Sequence, residues 1–360
     1  MTSSRTIIHP RPNPIVAAMY TLRDMDVDVV VIHGPSGCCF MASRPMESAG
    51  VRVVTSGIRD NDLVFGAEKP LIDTLHQVQE KFHPRTVAVI GTCASMIIGE
   101  DMPKAIRKAG IDANVFAVDC HGCMGDNTRG AIKALEAGRN AGIIPDDECT
   151  RQISLMKAAT RLEKVNGMAS KDYLQPAVSP TKLHVCKRIC EVLSSGGRVA
   201  VVMIAKKELA YRFADMFDAV DKARKKLGGE TLFVANLDRN LGLPRIRGYC
   251  DDILRDLESK DVRLDKIVGG LDEYSIIGPK MKEEVDAFKP DLIINLGICH
   301  SYPEMGRDDI LITDQPRQLA NYLTLGYSWA VGEIASHGMV MGAHEIVHLE
   351  TGDTLRELIQ

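Results

Sequence analysis

Short β-branched runs alternate with amphipathic helical segments along this chain, and that alternation limits its possible folds more than any other feature. The apolar run from Val29 to Ile32, for example, is followed by a segment of helical periodicity from Lys69 to Phe82. Strands separated by helices of this length form βαβ units, which build parallel sheets covered by helices on both faces. The sequence therefore predicts a Rossmann-like, doubly wound α/β fold.

The predicted elements keep this order in both halves of the chain. Strands are predicted at residues 29–32, 51–55, 86–90, 115–118, 199–204, 231–235, 266–268, 291–296 and 310–313. Helices are predicted at residues 13–25, 69–82, 101–109, 127–137, 207–227, 248–259, 278–288 and 327–349.

A break in the rhythm separates the two halves. Between residues 143 and 195 the sequence is polar and helix-prone, with prolines at 176 and 180. We therefore predict an N-terminal α/β domain over residues 1–145, a helical connection over 146–196 and a C-terminal α/β domain over 197–360. At about 150 residues per domain, the 360 residues agree with two such domains, or three.

Composition argues against two classes of partner. The 44 Lys and Arg residues are balanced by 48 Asp and Glu residues, so the chain lacks the basic footprint of a nucleic-acid-binding protein. Its apolar runs are far shorter than the roughly 20 residues that cross a membrane. The N-terminal residues contain no apolar signal core. We therefore expect a cytoplasmic protein that binds neither nucleic acid nor membrane.

Three groups of cysteines follow predicted strands of the first half: Cys38 with Cys39, then Cys93, then Cys120 with Cys123. In open α/β sheets, ligands bind at the carboxyl ends of the strands, where these thiols would converge. Cysteine thiolates hold iron–sulfur clusters, so the pattern favours such a cluster. Two alternatives stay open: each cysteine is a small buried apolar residue, or the C-x-x-C pair binds zinc or is redox-active. No role is predicted for Cys186, Cys190, Cys250 and Cys299.

One further motif has the letters of a zinc site. His344-Glu-Ile-Val-His348 spells H-E-x-x-H, and with His337 it would form one face of the predicted closing helix. A packed polar face is the more common explanation of such a stripe.

Two nucleotide-binding motifs are absent from the sequence. No G-x-x-x-x-G-K-[ST] phosphate loop occurs, and no G-x-G-x-x-G follows a strand. Chemistry that requires ATP or electrons therefore requires a partner protein.

Four short motifs occur in a fixed order within about ninety residues. They are H-G-P-S-G-C at 33–38, D-L-V-F-G at 62–66, C-A-S-M-I-I-G-E-D at 93–101 and C-H-G at 120–122. This series resembles the cluster-binding half of nitrogenase component 1 subunits. The resemblance implies the nitrogenase component 1-like fold and an iron–sulfur cluster bound through Cys38 and Cys93.

Departures from the nitrogenase pattern narrow the resemblance. Nitrogenase subunits are longer and carry another cluster cysteine before the first motif, whereas residues 6–14 here contain none. A compact chain of this kind resembles the larger-component subunits of Ni-sirohydrochlorin a,c-diamide reductive cyclase. That resemblance implies a homodimer. Each chain supplies two cysteines, so the two chains together supply the four ligands of one 4Fe-4S cluster that bridges them. Cys39, Cys120 and Cys123 are reserve ligands.

The same resemblance implies an activity and partners. A separate ATP-hydrolysing reductase homodimer, component C, resembles the nitrogenase iron protein and carries its own 4Fe-4S cluster. It would supply electrons for the six-electron reduction and lactam closure of Ni-sirohydrochlorin a,c-diamide to 15,17(3)-seco-F-430-17(3)-acid, in biosynthesis of coenzyme F-430.

Candidate residues for protons and for substrate carboxylates are few. His33 and His121 adjoin cluster cysteines and are weak candidates for proton supply, although a packed histidine that hydrogen-bonds the strand is the more common explanation of each. Cationic candidates for the substrate carboxylates are Lys206, Arg245, Arg247 and His300.

Two other functions remain as alternatives. One is a scaffold for assembly of the nitrogenase cofactor, and the other is a two-lobed small-molecule-binding protein without redox chemistry.

Overall fold

The chain forms two compact α/β units. The computed structural model describes residues 13–38, 40–166, 180–334 and 337–360. The first unit contains the described residues up to Asn166 together with Leu243–Arg245, and the second contains the remaining described residues. The fold class is therefore as predicted, while the division at residues 145 and 197 stays a prediction.

The first unit contains four strands and eight helices among the described residues. The strands are β1 (Val29–His33), β2 (Arg52–Thr55), β3 (Thr86–Gly91) and β4 (Asn114–Val118). The helices are α1 (Pro14–Asp24), α2 (Phe40–Ser48), α3 (Asp60–Phe65), α4 (Glu68–Phe82), α5 (Cys93–Ile97), α6 (Met102–Ala109), α7 (Asn127–Asn140) and α8 (Asp146–Asn166).

The first sheet is parallel, with strand order β2-β1-β3-β4. Strand β1 therefore pairs with β2 on one side and with β3 on the other. The connection after β1 leads to β2 at one edge of the sheet, and the connection after β3 leads to β4 at the other edge. Such a topological switch point opens a crevice at the carboxyl edge, where ligands bind in folds of this class.

Burial explains why the strands of this sheet were predictable. All five residues of β1 are buried, as expected for a parallel strand covered on both faces. The core on one face is formed by strands β1 and β3 with helices α4 and α6. Its buried members are Val29, Val31, Leu71, Leu75, Val78, Val87, Val89, Met102, Ala105 and Ala109. Each large apolar side chain buried in this way contributes about 1.5–3 kcal/mol.

The second unit contains six strands and eight helices among the described residues. The strands are β5 (Arg198–Ile204), β6 (Glu230–Ala235), β7 (Lys266–Ile267), β8 (Leu292–Gly297), β9 (Ile310–Thr313) and β10 (Ala330–Gly332). The helices are α9 (Pro180–Ser194), α10 (Ala210–Phe213), α11 (Asp215–Leu227), α12 (Pro244–Ser259), α13 (Gly278–Phe288), α14 (Pro316–Thr324), α15 (His337–Val340) and α16 (Glu350–Leu358). None of the described helices is long and apolar enough to cross a membrane.

The second sheet is also parallel, with order β10-β9-β8-β5-β6-β7. Its switch point lies between β5 and β8. There the amide of Ile298 donates to the carbonyl of Ile204 over 2.7 Å. Gly297 has φ of 87°, and a Cβ at this residue would lie 2.5 Å from the Ile204 carbonyl oxygen, so only glycine fits.

The predicted closing helix at 327–349 is wrong. The segment instead contains the edge strand β10, the short helix α15 and irregular chain, and the last helix begins only at Glu350. Gly338 and Gly342 weaken helical propensity, while the apolar residues beside Trp329 pair with β9 as a strand. The H-E-x-x-H letters therefore do not lie on one helix: His344 contacts Asp252 and His348 contacts Asp353.

Candidate cluster site

The predicted cluster cysteines lie where three neighbouring strands of the first sheet end. Cys38 ends the 3-10 turn after β1, Cys93 begins α5 after β3, and Cys120 and Cys123 lie in the loop after β4. Because β1, β3 and β4 are adjacent and parallel, these loops meet at one edge. Cys38 and Cys93 flank the switch point. Cys39 lies outside the described residues.

Two of these thiols are in contact. The Sγ atoms of Cys93 and Cys123 are 3.4 Å apart, and a Cβ on Gly122 would lie 3.6 Å from the sulfur of Cys93. Cys38 and Cys123 are exposed, Cys93 is half-buried and Cys120 is buried. The edge therefore presents accessible sulfur atoms above one buried thiol.

The pKa values of three thiols at this edge, Cys38, Cys120 and Cys123, are raised. Burial raises the pKa of Cys38, and the neighbouring Cys93 raises it further. Burial also raises the pKa of Cys120 to about 12, with contributions from Asp119 and Cys93. The pKa of Cys123 is raised first by its hydrogen bond with Cys93. Thiolates at this edge would repel each other unless a cation lay between them.

Thr92 connects the two loops that carry Cys38 and Cys93. Its hydroxyl donates to the carbonyl of His33 over 3.0 Å, and its amide donates to Ser95 Oγ over 2.8 Å, which caps α5. A Cβ on Gly34 would lie 2.4 Å from Thr92 Cγ2. The glycine in the H-G-P-S-G-C motif therefore allows the two cysteine loops to lie close together.

We expect Gly34→Ala to destabilise the cluster edge. The added methyl group overlaps Thr92, and overpacking of this kind costs about 1–3 kcal/mol. Chemical denaturation should report that loss in the free energy of unfolding, and iron content should fall with it. Gly37→Ala is the matched control in the same motif, because a Cβ there meets nothing within 4 Å. Equal unfolding free energies for the two variants would contradict the close approach of the loops.

His33 lies beneath this edge. Its side chain is fully buried, its Nδ1 is 2.9 Å from Ser56 Oγ, and its Nε2 is 3.7 Å from Glu100 Oε2. Burial lowers the pKa of His33, against the opposing effect of Glu100. The second oxygen of Glu100 accepts the amide of Ala67 over 2.5 Å. The pair therefore joins β1 to the start of α4 and to the loop after α5.

The remaining sequence candidates have different surroundings. His121 is half-buried, and its Nδ1 has no hydrogen-bond partner among the described residues. Arg245 is the second residue of α12, whose first two residues are grouped with the first unit, and it pairs there with Asp26 over 2.7 Å. Arg247 is exposed on α12. Lys206 and His300 lie at the carboxyl edge of the second sheet, beyond β5 and β8.

Sequence reasoning missed an exposed apolar patch beside the thiols. Val64 and Phe65 on α3 are 75% and 86% exposed, and Ile97 on α5 is 78% exposed. The bond from Ala67 to Glu100 holds the end of α3 near the end of α5. Val64 and Phe65 belong to the D-L-V-F-G motif, which lies outside the predicted strands and helices. Two apolar residues in such a motif were the sequence signal that could have indicated an exposed patch.

The residues present fit an iron–sulfur cluster. Thiolates are the ligands of such clusters, and iron ions bound here would offset the mutual repulsion of neighbouring thiolates. Among the described residues, no group of three or more His, Cys, Asp and Glu side chains could hold a metal ion.

Comparison with protein-family models gives one match for this half of the chain. The model for nitrogenase component 1 type oxidoreductases matches residues 14–166. The match covers β1 to β4 and the cysteines of the cluster edge, Cys38, Cys93, Cys120 and Cys123.

Known relatives extend the similarity over the whole length. The chain is 43% identical to "Ni-sirohydrochlorin a,c-diamide reductive cyclase complex, component CfbD" of Methanothermobacter thermautotrophicus over 357 residues, 98% of this chain and 99% of that protein. It is 42% identical to the protein of the same name in Methanosarcina acetivorans, over 98% of this chain and 97% of that one. It is also 31% identical to the nitrogenase molybdenum-iron protein alpha chain of Clostridium pasteurianum, over 30% of this chain and 22% of that one. The resemblance predicted from the motifs is confirmed: the chain belongs to the family of CfbD components of Ni-sirohydrochlorin a,c-diamide reductive cyclase complexes.

Proposed function

We propose that this chain is the catalytic component of an ATP-dependent, nitrogenase-like reductase that reductively cyclises Ni-sirohydrochlorin a,c-diamide in the cytoplasm. The observation that carries the proposal is the placement of Cys38 and Cys93 at the switch point of the first sheet, in a chain with full-length CfbD relatives. A 4Fe-4S cluster bound there would accept single electrons from a separate ATP-hydrolysing reductase and deliver them to the tetrapyrrole.

Cys38 and Cys93 are the best ligands that the edge offers. Both are accessible from solvent, whereas Cys120 is buried. Ligand sulfurs on different irons of one cubane lie apart, while the sulfurs of Cys93 and Cys123 are in contact. Cys123 is therefore better placed to donate a hydrogen bond to Cys93 than to act as a second cluster ligand beside it. Two ligand thiols per chain, Cys38 and Cys93, fit a homodimer in which one cluster has four ligands.

His33 and His121 differ in what they can do with protons. The side chain of His33 is fully buried, and its Nδ1 lies 2.9 Å from Ser56 Oγ, which favours a role in holding the cysteine loops. Each histidine has one ring nitrogen without a hydrogen-bond partner among the described residues, but only His121 is partly exposed, and it adjoins Cys120. Of the two, His121 is the better candidate for proton supply.

The exposed patch of Val64, Phe65 and Ile97 suits the docking of the reductase. Electron transfer requires the partner to approach the cysteine edge, and Ile97 lies one helical turn from Cys93. We expect Phe65→Ala to slow reductase-dependent reduction by about tenfold or more, because aromatic side chains contribute most at such contacts. Stopped-flow reduction by the partner measures this effect.

Two controls keep that result interpretable. Phe82→Ala removes another exposed phenylalanine, on α4, and should leave the rate unchanged. Reduction of Phe65→Ala by a small chemical reductant should match the wild type. Loss of the dimer or of iron in Phe65→Ala would instead assign the patch to the contact between subunits.

Anaerobic purification with iron analysis and electron paramagnetic resonance tests the function as a whole. We expect four irons per two chains by the ligand count above, and a spectrum that changes when Ni-sirohydrochlorin a,c-diamide is added. Iron without a spectral response would favour a cofactor-assembly scaffold. Absence of iron would leave a small-molecule-binding protein.

A further inference from the structure

One accessible thiol at the cluster edge has no ligand role in the proposed function. Cys123 is exposed in the loop after β4, and its Sγ lies 3.4 Å from the Sγ of Cys93, one of the two proposed cluster ligands. In the described part of the chain, no hydrogen bond joins Cys38 to either of these sulfurs. Cys93 and Cys123 therefore form a distinct pair of thiols within the edge.

The backbone on both sides holds this pair together. Cys93 is the first residue of α5, whose start is capped by the preceding residue. On the other side, the amide of Met124 donates to the carbonyl of His121 over 3.3 Å and closes a turn that contains Cys123. Nη1 of Arg129 on α7 donates to the carbonyl of Met124 over 2.8 Å, so the next helix anchors the turn. The contact of the two thiols therefore follows from the geometry of both loops.

The pair meets the two requirements for a disulfide, which are close sulfur atoms and access for an oxidant. A disulfide bond is about 2 Å long, so the contact at 3.4 Å closes by a small rotation of the exposed Cys123 side chain. Cys93 is half-buried, so a small reagent reaches both thiols. The pair Cys186 and Cys190 on α9 differs, because Cys186 is buried and donates to the carbonyl of Thr351 over 3.3 Å.

Oxidation by a small disulfide needs no further reagent. The thiolate of one cysteine attacks the reagent and forms a mixed disulfide, and the other cysteine then attacks the protein sulfur of that bond. The cysteines give up two electrons and two protons, and the reagent leaves with both of its sulfurs as thiols. In reducing compartments, disulfides of proteins are usually transient and either catalytic or redox-sensing.

We propose that Cys93 and Cys123 form a reversible disulfide in the chain that has not received its cluster. The bond withdraws Cys93 from the cluster ligands, so an oxidised chain does not assemble a cluster until a thiol reductant opens the bond. The proposal rests on the proposed function, since it takes the ligand role of Cys93 from there. It gives Cys123 a role as the resolving cysteine, which cluster binding itself does not require.

Mass spectrometry and iron uptake of the full chain, freed of iron by anaerobic chelation, test the proposal together. The probe is an excess of oxidised lipoic acid, a cyclic disulfide whose opened ring closes again on a lone thiol, so that it oxidises only pairs. The wild type should give peptides linked through Cys93 and Cys123, two hydrogen atoms lighter than the reduced peptides. It should also lose its uptake of iron and regain it after dithiothreitol.

Two variants separate this pair from the other cysteines. Cys123→Ser should give no linked peptides and should take up iron after the same treatment. Cys190→Ser is the matched control, a cysteine of the second unit, and should behave as the wild type does.

Three results would overturn the inference. They are a wild type without the linked peptides, an oxidised wild type that still takes up iron, and a Cys123→Ser variant that loses iron uptake on oxidation. A reduced wild type that takes up no iron would overturn the proposed function instead, while the linked peptides would still report the bond.

Discussion

Cys93→Ala is expected to give a folded chain that holds almost no iron. Under the proposed arrangement each chain supplies two of four cluster ligands, so the substitution removes one ligand from each side of the dimer. Two remaining thiolates do not hold a cubane against loss to solvent. Iron analysis and electron paramagnetic resonance after anaerobic purification should both report the loss, and Cys38→Ala should behave in the same way.

Cys190→Ala is the matched control for that experiment. Cys190 is half-buried like Cys93 but lies on α9 in the second unit, so its removal should leave iron content unchanged. Cys123→Ser should also keep the iron, because Cys123 is placed as a hydrogen-bond partner of Cys93. Full iron content and an unchanged spectrum in Cys93→Ala would falsify the ligand assignment. Loss of iron in Cys123→Ser alone would transfer the role to the reserve cysteine.

The central strands could be predicted from sequence because strands buried on both faces consist almost entirely of apolar, mostly β-branched residues. Strand β1 is a run of β-branched residues buried on both faces, and β9 was predicted at its observed bounds, Ile310–Thr313. Helix α13 was also predicted at its observed bounds, since Gly278 and Pro279 mark its start. Strands and helices with a complete buried face can therefore be predicted from the sequence alone.

Short elements at the edges of the sheets could not be predicted in this way. The strand β10 has three residues, too few to show a period, and the histidine spacing beyond it imitated a helical face. The helix predicted at 207–227 begins instead with a 3-10 turn at Lys207–Leu209, whose first residue is left-handed, and continues as α10 and α11. Local propensity does not reveal a conformation that a tertiary hydrogen bond to Leu271 holds in place.

The candidate site shows the same division. Parallel strands bring the cysteine loops to one edge of the sheet, and the parallel sheet follows from the βαβ rhythm. The strand order that makes β1, β3 and β4 neighbours was not predicted. The pairing of His33 with Glu100 and the contact of Cys93 with Cys123 join residues far apart in sequence. No local sequence pattern specifies such pairs. The sequence therefore indicated which loops carry the functional cysteines, but not which side chains contact one another.

A buried ion pair lies in the interior of the second unit. Lys182 on α9 is 3% exposed, and Glu333 after β10 has no exposed surface. The Nζ of Lys182 lies 3.4 Å from Glu333 Oε2 and 2.5 Å from Glu350 Oε2 on α16. The other oxygen of Glu333 accepts the amide of Thr351 over 2.8 Å. The pair therefore joins α9, the end of β10 and α16.

Lys182→Met is expected to lower the free energy of unfolding by about 3–5 kcal/mol, because it leaves the carboxylate of Glu333 buried without its cation. Chemical denaturation measures the loss. The double variant Lys182→Met with Glu333→Gln should regain most of it, since no uncompensated charge remains in the interior. Lys69→Met, which breaks an exposed pair with Asp73, should change stability by no more than about 0.5 kcal/mol. A Lys182→Met variant as stable as the wild type, or a double variant no better than the single one, would show that Glu333 does not depend on Lys182 for its charge.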